Sequence, residues 1–159
     1  MSGQSREIID RFAGPYAFLS NFHPCRVTFY GLTFPSVEAA FQAAKCANAQ
    51  DRAQFQDMTP TQAKRRGRQI QMRDDWGARK LTIMHNLLVH KFNENPELIS
   101  KLLATGGAVL VEGNTWHDNY WGCCTCSRRA GRRGRNNLGR LLMKLRAEYM
   151  AVWQRGPVE

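Results

Sequence analysis

The sequence predicts an α+β domain that is predominantly α-helical. Two observations predict it. Apolar residues recur at i, i+3, i+4 spacing in several segments, while β-type runs are short and few. No repeat, linker or composition break interrupts the 159 residues, a length that suits a single domain with its own core.

Residues 1–12 read as a flexible arm, 13–153 as the domain and 154–159 as a tail. Arg26 to Tyr30 and Leu32 to Phe34 read as a hairpin that turns at Tyr30-Gly31. Ser36 reads as the N-cap of a helix that buries Val37, Ala40, Phe41 and Ala44. Thr59-Pro60 opens another helix, with Thr as cap and Pro at the first position. Asp74 reads as the cap of a long helix burying Leu81, Met84, Leu87, Leu88 and Phe92. Asn95-Pro96 restarts a helix with Leu98, Ile99, Leu102 and Leu103, which Gly106-Gly107 ends. Val109 to Val111 reads as a short strand. The last helix carries Leu138, Leu141, Leu142, Leu145, Tyr149 and Val152 on one face.

Hydrophobic residues make up 43% and charged residues 23%, which describes a globule rather than a disordered chain. No apolar run is long enough to span a bilayer, and the first residues lack an apolar signal region. A cytoplasmic location and no membrane partner are expected, and nothing requires more than a monomer. The five cysteines are odd in number, and three cluster at Cys123, Cys124 and Cys126, which argues against a secreted disulfide framework. Cys123 and Cys126 form a Cys-x-x-Cys with His117 nearby, but the second ligand pair of a structural zinc site is missing. Reduced cysteines in a loop, and neither metal nor cofactor, are therefore expected.

The net charge is +10 and unevenly placed. From Cys123 to Glu159 nine Arg and Lys face only Glu148 and Glu159. Arg128, Arg129, Arg132, Arg133 and Arg135 crowd one loop, and Lys64, Arg65, Arg66 and Arg68 make a second cluster. Such clusters attract nucleic acid or phosphorylated ligands, or else simply solvate the surface.

The segment after Ser36 is the most informative. Glu38, Gln42 and Lys45 fall four and three residues apart, on one helical face beside the apolar stripe. A carboxylate, an amide and an amine thus share a face next to the core. Small Ala39 and Ala43 would let another element approach closely. Such a row can line a pocket; a solvated polar row has the same spacing. The connecting segments hold further unusual residues. Phe18-Leu19-Ser20-Asn21-Phe22 is apolar with polar residues mid-run and suits neither a clean strand nor a clean helix. Trp76 follows Asp74-Asp75, and Asp118 sits ahead of Tyr120-Trp121-Gly122. Core filling by each Trp, and a turn role for Asp118, are the plain readings.

Taken in order, these pieces resemble the NADAR family, which includes the YbiA-like N-glycosidases. The matching residues are Leu19-Ser20-Asn21-Phe22, the run Ser36 to Lys45, Gly67-Arg68, Asp75-Trp76, Lys91-Phe92 and Val111-Glu112. Asp118 with Tyr120-Trp121-Gly122, Asn136, Leu138-Gly139 and Leu142-Met143 complete the series, which spans roughly Phe18 to Arg146. One departure stands out: the loop after Trp121-Gly122, usually short and glycine-rich in the family, here holds three cysteines and the arginines. The resemblance implies cleavage of a bond between ribose C1 and an exocyclic nitrogen. Two substrate types go with it: ADP-ribose on guanine, in nucleotides or nucleic acid, and phosphoribosylaminopyrimidine intermediates of riboflavin synthesis.

Breaking that bond needs a proton for the leaving nitrogen, stabilisation at C1 and a nucleophile. Under the resemblance, Glu38, Lys45, Asp118 and Trp76 are the candidate catalytic residues. Glu38 and Asp118 can divide acid and charge-stabilising roles in an oxocarbenium route. Alternatively the sugar opens to an imine and Lys45 displaces the amine through a Schiff base, with Glu38 moving protons. Lys45 could instead only pair with a carboxylate. Trp76 would stack on the base and Trp121 form a wall. Ser20, Asn21, Phe22, Gln42, Arg68, Gly122 and Asn136 complete the expected substrate contacts, Arg68 suiting phosphate. The competing reading is a nucleic-acid-binding module built on the arginine loop, without catalysis.

Overall fold

The computed structural model describes residues 5–126 and 134–157. Contacts group the chain into two compact units, Asn21–Glu97 and Met1–Ser20 with Leu98–Glu159. As predicted, helices dominate and the strands are short.

In the Asn21–Glu97 unit the hairpin forms as predicted, β2 (Val27–Phe29) pairing antiparallel with β3 (Leu32–Phe34). Tyr30 and Gly31 both take left-handed φ, 52° and 73°, the conformation a two-residue hairpin turn requires. Helix α1 (Val37–Ala44) begins at Ser36, whose Oγ accepts the Ala39 N–H at 3.1 Å. All eight of its residues are buried, so its polar row is not a solvated face. Two short elements that the periodicity does not announce follow, α2 (Ala49–Ala53) and a 3₁₀ turn at Gln54–Asp57. Helix α3 (Pro60–Arg66) carries the predicted Thr59 cap, completed by Gln62 as a reciprocal capping box.

Helix α4 spans Trp76–Glu94. Its N-cap is Asp75 rather than Asp74, and Asp75 makes no side-chain cap bond. Its carboxylate is held instead by Arg73 at 2.6 Å. Met84, Leu87, Leu88 and Phe92 are buried as expected, but Leu81 is exposed and Ile83 takes a buried place. Leu81 lies two positions from Ile83, about 200° around the helix, so the two cannot share a face.

In the other unit, the arm expected over residues 1–12 is corrected at Ile8–Ile9. These form β1, pairing in parallel with β4 (Val109–Leu110) and burying Ile9. A 3₁₀ helix at Gly14–Leu19 buries Phe18 and Leu19. Helix α5 (Pro96–Ala104) ends as predicted near Gly106, which is left-handed at φ 59°. Two further strands, β5 (Gly113–Asn114) and β6 (Cys123–Cys124), pair in parallel. Helix α6 (Asn137–Arg155) buries Leu138, Leu142 and Leu145. Val152, expected on this face, is exposed. Buried Arg146 ties α6 to the preceding turn by donating to Thr105 Oγ1 (2.8 Å) and the Ala108 carbonyl (2.7 Å).

Candidate active site

The residues singled out from the sequence divide between the units. Asn21, Phe22, Glu38, Gln42, Lys45, Arg68 and Trp76 belong to Asn21–Glu97. Ser20, Asp118, Trp121, Gly122 and Asn136 belong to the other unit.

The Glu38 row is real and buried. Gln42 Nε2 donates to Glu38 Oε1 at 2.8 Å across one helical turn. Glu38 is 7% and Gln42 5% exposed. The Glu38 backbone N–H donates to the Asn21 carbonyl at 3.0 Å, so the Asn21-Phe22 segment lies against the start of α1. Asn21 Nδ2 in turn reaches Met84 Sδ at 3.6 Å. Two buried acceptors, Gln42 Oε1 and Asn21 Oδ1, have no hydrogen-bond partner among the described residues. Buried acceptors without donors are costly, so each has capacity for one further hydrogen bond.

Gly67, at the end of α3, makes this row possible. A Cβ at Gly67 would stand 1.9 Å from Gln42 Oε1. Only glycine leaves the amide its seat, a role hidden in the plain sequence pair Gly67-Arg68. Lys45 sits at the C-terminal end of α1, half-buried, 6.0 Å from the centre of the Phe41 ring. Burial lowers its pKa below the ordinary lysine range; Glu38 opposes this, and Arg68 and Lys64 add to the lowering. Lys45 thus has one buried carboxylate and two further cations as electrostatic neighbours. Arg68 is exposed, as is Phe22, over whose ring the Lys64 ammonium stands at 5.8 Å. Trp76 is buried against Phe41, ring centroids 5.0 Å apart, so its packing is that of a core residue.

In the other unit Asp118 closes a turn. Its Oδ1 accepts the N–H groups of Tyr120 (3.0 Å) and Trp121 (2.9 Å). Asn114, buried and overlooked in the sequence, grips the same residue on both sides. Its Oδ1 accepts the Asp118 N–H at 3.1 Å, and its Nδ2 donates to the Asp118 carbonyl at 2.8 Å and to Glu112 Oε2 at 3.0 Å. Tyr120 and Trp121 pack edge to face at 4.7 Å. Asn136 is left-handed at φ 52°, and both ends of its amide are taken by backbone. Oδ1 accepts from Glu112 N–H (3.0 Å) and Nδ2 donates to the Leu110 carbonyl (2.9 Å). Gly122 has no room for a side chain, since a Cβ would meet Glu112 Oε2 at 1.7 Å. Asn136 and Gly122 thus hold the backbone together. Ser20 ends the 3₁₀ helix, its N–H bonded to Ala17.

The five cysteines are free thiols. The Cys-x-x-Cys spacing of Cys123 and Cys126 does not bring those two thiols together. Cys123 Sγ turns to the Gly134 carbonyl at 3.7 Å, while Cys124, Cys126 and His117 come together. Of the arginine loop, only Arg135 falls among the described residues; its guanidinium lies 5.7 Å from the centre of the Tyr120 ring. No helix among the described residues is long and apolar enough to cross a membrane.

Comparison with known proteins places the chain in a family. The sequence profile of the NADAR domain matches residues 10–150. N-glycosidase YbiA of Escherichia coli K12 is 36% identical over 140 residues, covering 86% of this chain and 83% of that protein. The chloroplastic riboflavin biosynthesis protein PYRR of Zea mays is 36% identical over 157 residues, covering 86% of this chain. A riboflavin biosynthesis protein of Vibrio vulnificus is 35% identical over 140 residues, 84% of this chain. The chain spans only 24% of the maize protein and 35% of the Vibrio one. The NMR structure of E. coli YbiA superposes with a TM-score of 0.78 at 33% identity, covering 98% of this chain and 92% of that one. The chain belongs to the NADAR family.

Proposed function

We propose that the chain is an N-glycosidase that hydrolyses the bond between ribose C1 and an exocyclic amine. The observation that carries this reading is the buried Glu38–Gln42 pair with Lys45, its pKa lowered, at the end of the same short helix. The names of the relatives, N-glycosidase and riboflavin biosynthesis protein, support it.

The lysine favours the imine route. Ring opening breaks C1–O4′, the nitrogen lone pair forming C1=N⁺ while Glu38 gives its proton to O4′. Neutral Lys45 adds to C1, the carboxylate of Glu38 takes the extra proton from the Lys45 nitrogen and passes it to the departing amine, and the C1–N bond to that amine breaks as the Lys45 Schiff base forms. Water then cleaves the Lys45 Schiff base and the sugar closes again. A lowered pKa supplies the unprotonated amine this route needs. Gln42 holds Glu38 in position, and Asn21 Oδ1 offers an acceptor to the substrate. Lys64 and Arg68 suit a phosphate on the substrate. Asp118 is assigned to the turn it closes, and Trp76 to packing behind Phe41. The substrate class is a phosphorylated ribosylamine: a phosphoribosylaminopyrimidine of riboflavin synthesis, or ADP-ribosylguanine free or in nucleic acid. Base release from these compounds, lost on Glu38→Gln, tests the reading. Salt-sensitive nucleic-acid binding that persists without any base release would favour the binding-module reading instead.

A further inference from the structure

The thiol cluster of the second unit lies outside the machinery assigned above, and its arrangement is that of a metal site. His117 Nδ1 is 3.0 Å from Cys126 Sγ and 3.8 Å from Cys124 Sγ, and the two sulfurs are 2.9 Å apart. That separation exceeds the roughly 2.05 Å of a disulfide. All three ligand atoms lie within 4.8 Å of one another. We propose that His117, Cys124 and Cys126 bind one zinc(II) ion.

The donor set selects the metal class. Two thiolates and an imidazole suit zinc and disfavour calcium or magnesium, which require oxygen. With Zn–S of about 2.3 Å and Zn–N of about 2.0–2.1 Å, tetrahedral ligand atoms stand roughly 3.5–3.8 Å apart. The present separations lie within about 1 Å of that range, which side-chain rotation can supply. Binding releases the two thiol protons: Zn²⁺ with two Cys–SH and a neutral imidazole gives the bis-thiolate complex and two H⁺. Three protein donors leave the fourth tetrahedral position to water.

The loop holds these ligands in place by bonds of its own. Successive residues of β6 point to opposite faces, which turns Cys124 away from Cys123, and the chain beyond the strand brings Cys126 Sγ to the Cys124 side. Cys124 N–H donates to Asn119 Oδ1 at 2.8 Å. Thr125 N–H donates to the Asn114 carbonyl at 2.8 Å, and the Asn114 side chain grips Asp118, next to His117. One buried residue thus anchors both arms of the clip. His117 takes left-handed backbone, φ 68°, a strained position for a non-glycine residue. Metal ligation there would fix the Asp118 turn from its outer side.

The test uses the full chain, freed of metal under a strong reductant that does not bind zinc. Zinc is titrated against a chromophoric chelator, and cobalt(II) is added separately as a spectroscopic probe. About one zinc per chain is expected, with thiolate-to-cobalt charge-transfer and tetrahedral d–d bands. Cys126→Ser and His117→Asn should each weaken zinc binding at least about 100-fold, at the upper end of what even supporting residues cost. Asn tolerates the left-handed backbone, and circular dichroism checks that each variant is folded. Cys123→Ser and Cys25→Ser should bind as the wild type. Zinc bound no better by the reduced wild type than by Cys126→Ser overturns the site. So does an unchanged affinity in folded His117→Asn. These readouts do not depend on glycosidase activity, so the site and the catalytic reading stand or fall separately.

Discussion

Gln42 hands its amide proton to Glu38 at 2.8 Å while its own oxygen, deep in the protein, is left without a donor among the described residues. The bond orients the carboxylate, while the acceptor on the same amide is seated against Gly67. Glu38→Gln should therefore lower kcat by about 100-fold or more, the usual size of a general acid–base contribution. Gln42→Ala should lower it by about tenfold, as expected of a positioning residue. Single-turnover base release, with circular dichroism as a folding check, measures both.

Gly67 should matter only through Gln42. Gly67→Ala forces the amide away, since the new Cβ would stand 1.9 Å from Oε1. The end of a flexible side chain can move, so stability should change by less than about 1 kcal/mol, below the ordinary range for overpacking. Turnover should fall about as far as in Gln42→Ala. The double variant should be no worse than Gln42→Ala alone, because the two act at one point. Additive losses would show that Gly67 acts elsewhere.

Lys45 should impose a pH dependence with a definite sign. Burial lowers its pKa below 10.5. The reactive form is the neutral amine, so kcat/KM should rise with pH and level off above the lowered pKa, short of the ordinary lysine range. Cyanoborohydride added during turnover should leave a reduced sugar adduct on Lys45, found by peptide mass. An inactive but adduct-free protein would leave Lys45 as a charge partner only.

Lys91 offers a check on folding rather than catalysis. It is completely buried on α4, and burial pushes its pKa down to about 8, with Cys25 opposing. Above that value only the unfolded chain keeps the proton, so this group makes stability rise with pH between about 8 and 10.5. The Cys25 thiol, raised by burial, pulls the other way and is itself subject to Glu94 and Glu97. Comparison with Lys91→Met cancels most of that contribution. Between pH 7.5 and 9.5 the wild type should gain about 1–2 kcal/mol on Lys91→Met, measured by urea unfolding.

Asp118 is best probed by two substitutions. Asn keeps an oxygen for the Tyr120 and Trp121 N–H groups; Ala does not. Asp118→Asn should keep turnover within about threefold, well short of an acid–base loss. Asp118→Ala should cost about 1–2 kcal/mol of stability. A hundredfold loss in the folded Asn variant would return the carboxylate to the catalytic set.

Much of this was legible in the sequence where signals were local. Ser36, Thr59 and Gly106 are capping residues whose roles depend on a few neighbouring atoms, and Tyr30-Gly31 makes the turn its composition suggests. The Glu38 row was legible as spacing, but its burial was not, because burial depends on what packs against α1. Gly67 was opaque for the same reason: its partner lies 25 positions away on another helix. Ile8–Ile9 is too short to show a strand period and forms one only because Val109–Leu110 is there to pair with. Asn114 looked like a loop residue, yet it organises the Asp118 turn. The Cys-x-x-Cys spacing does not show that Cys124 rather than Cys123 approaches Cys126, because that depends on how the chain bends after β6.

The most direct measurement is base release from a phosphoribosylaminopyrimidine and from ADP-ribosylguanine, by the wild type and Glu38→Gln side by side. The account predicts release from at least one of them by the wild type and a loss of about 100-fold or more in the variant. Equal release by both proteins, or release from neither compound by the folded wild type, would contradict it.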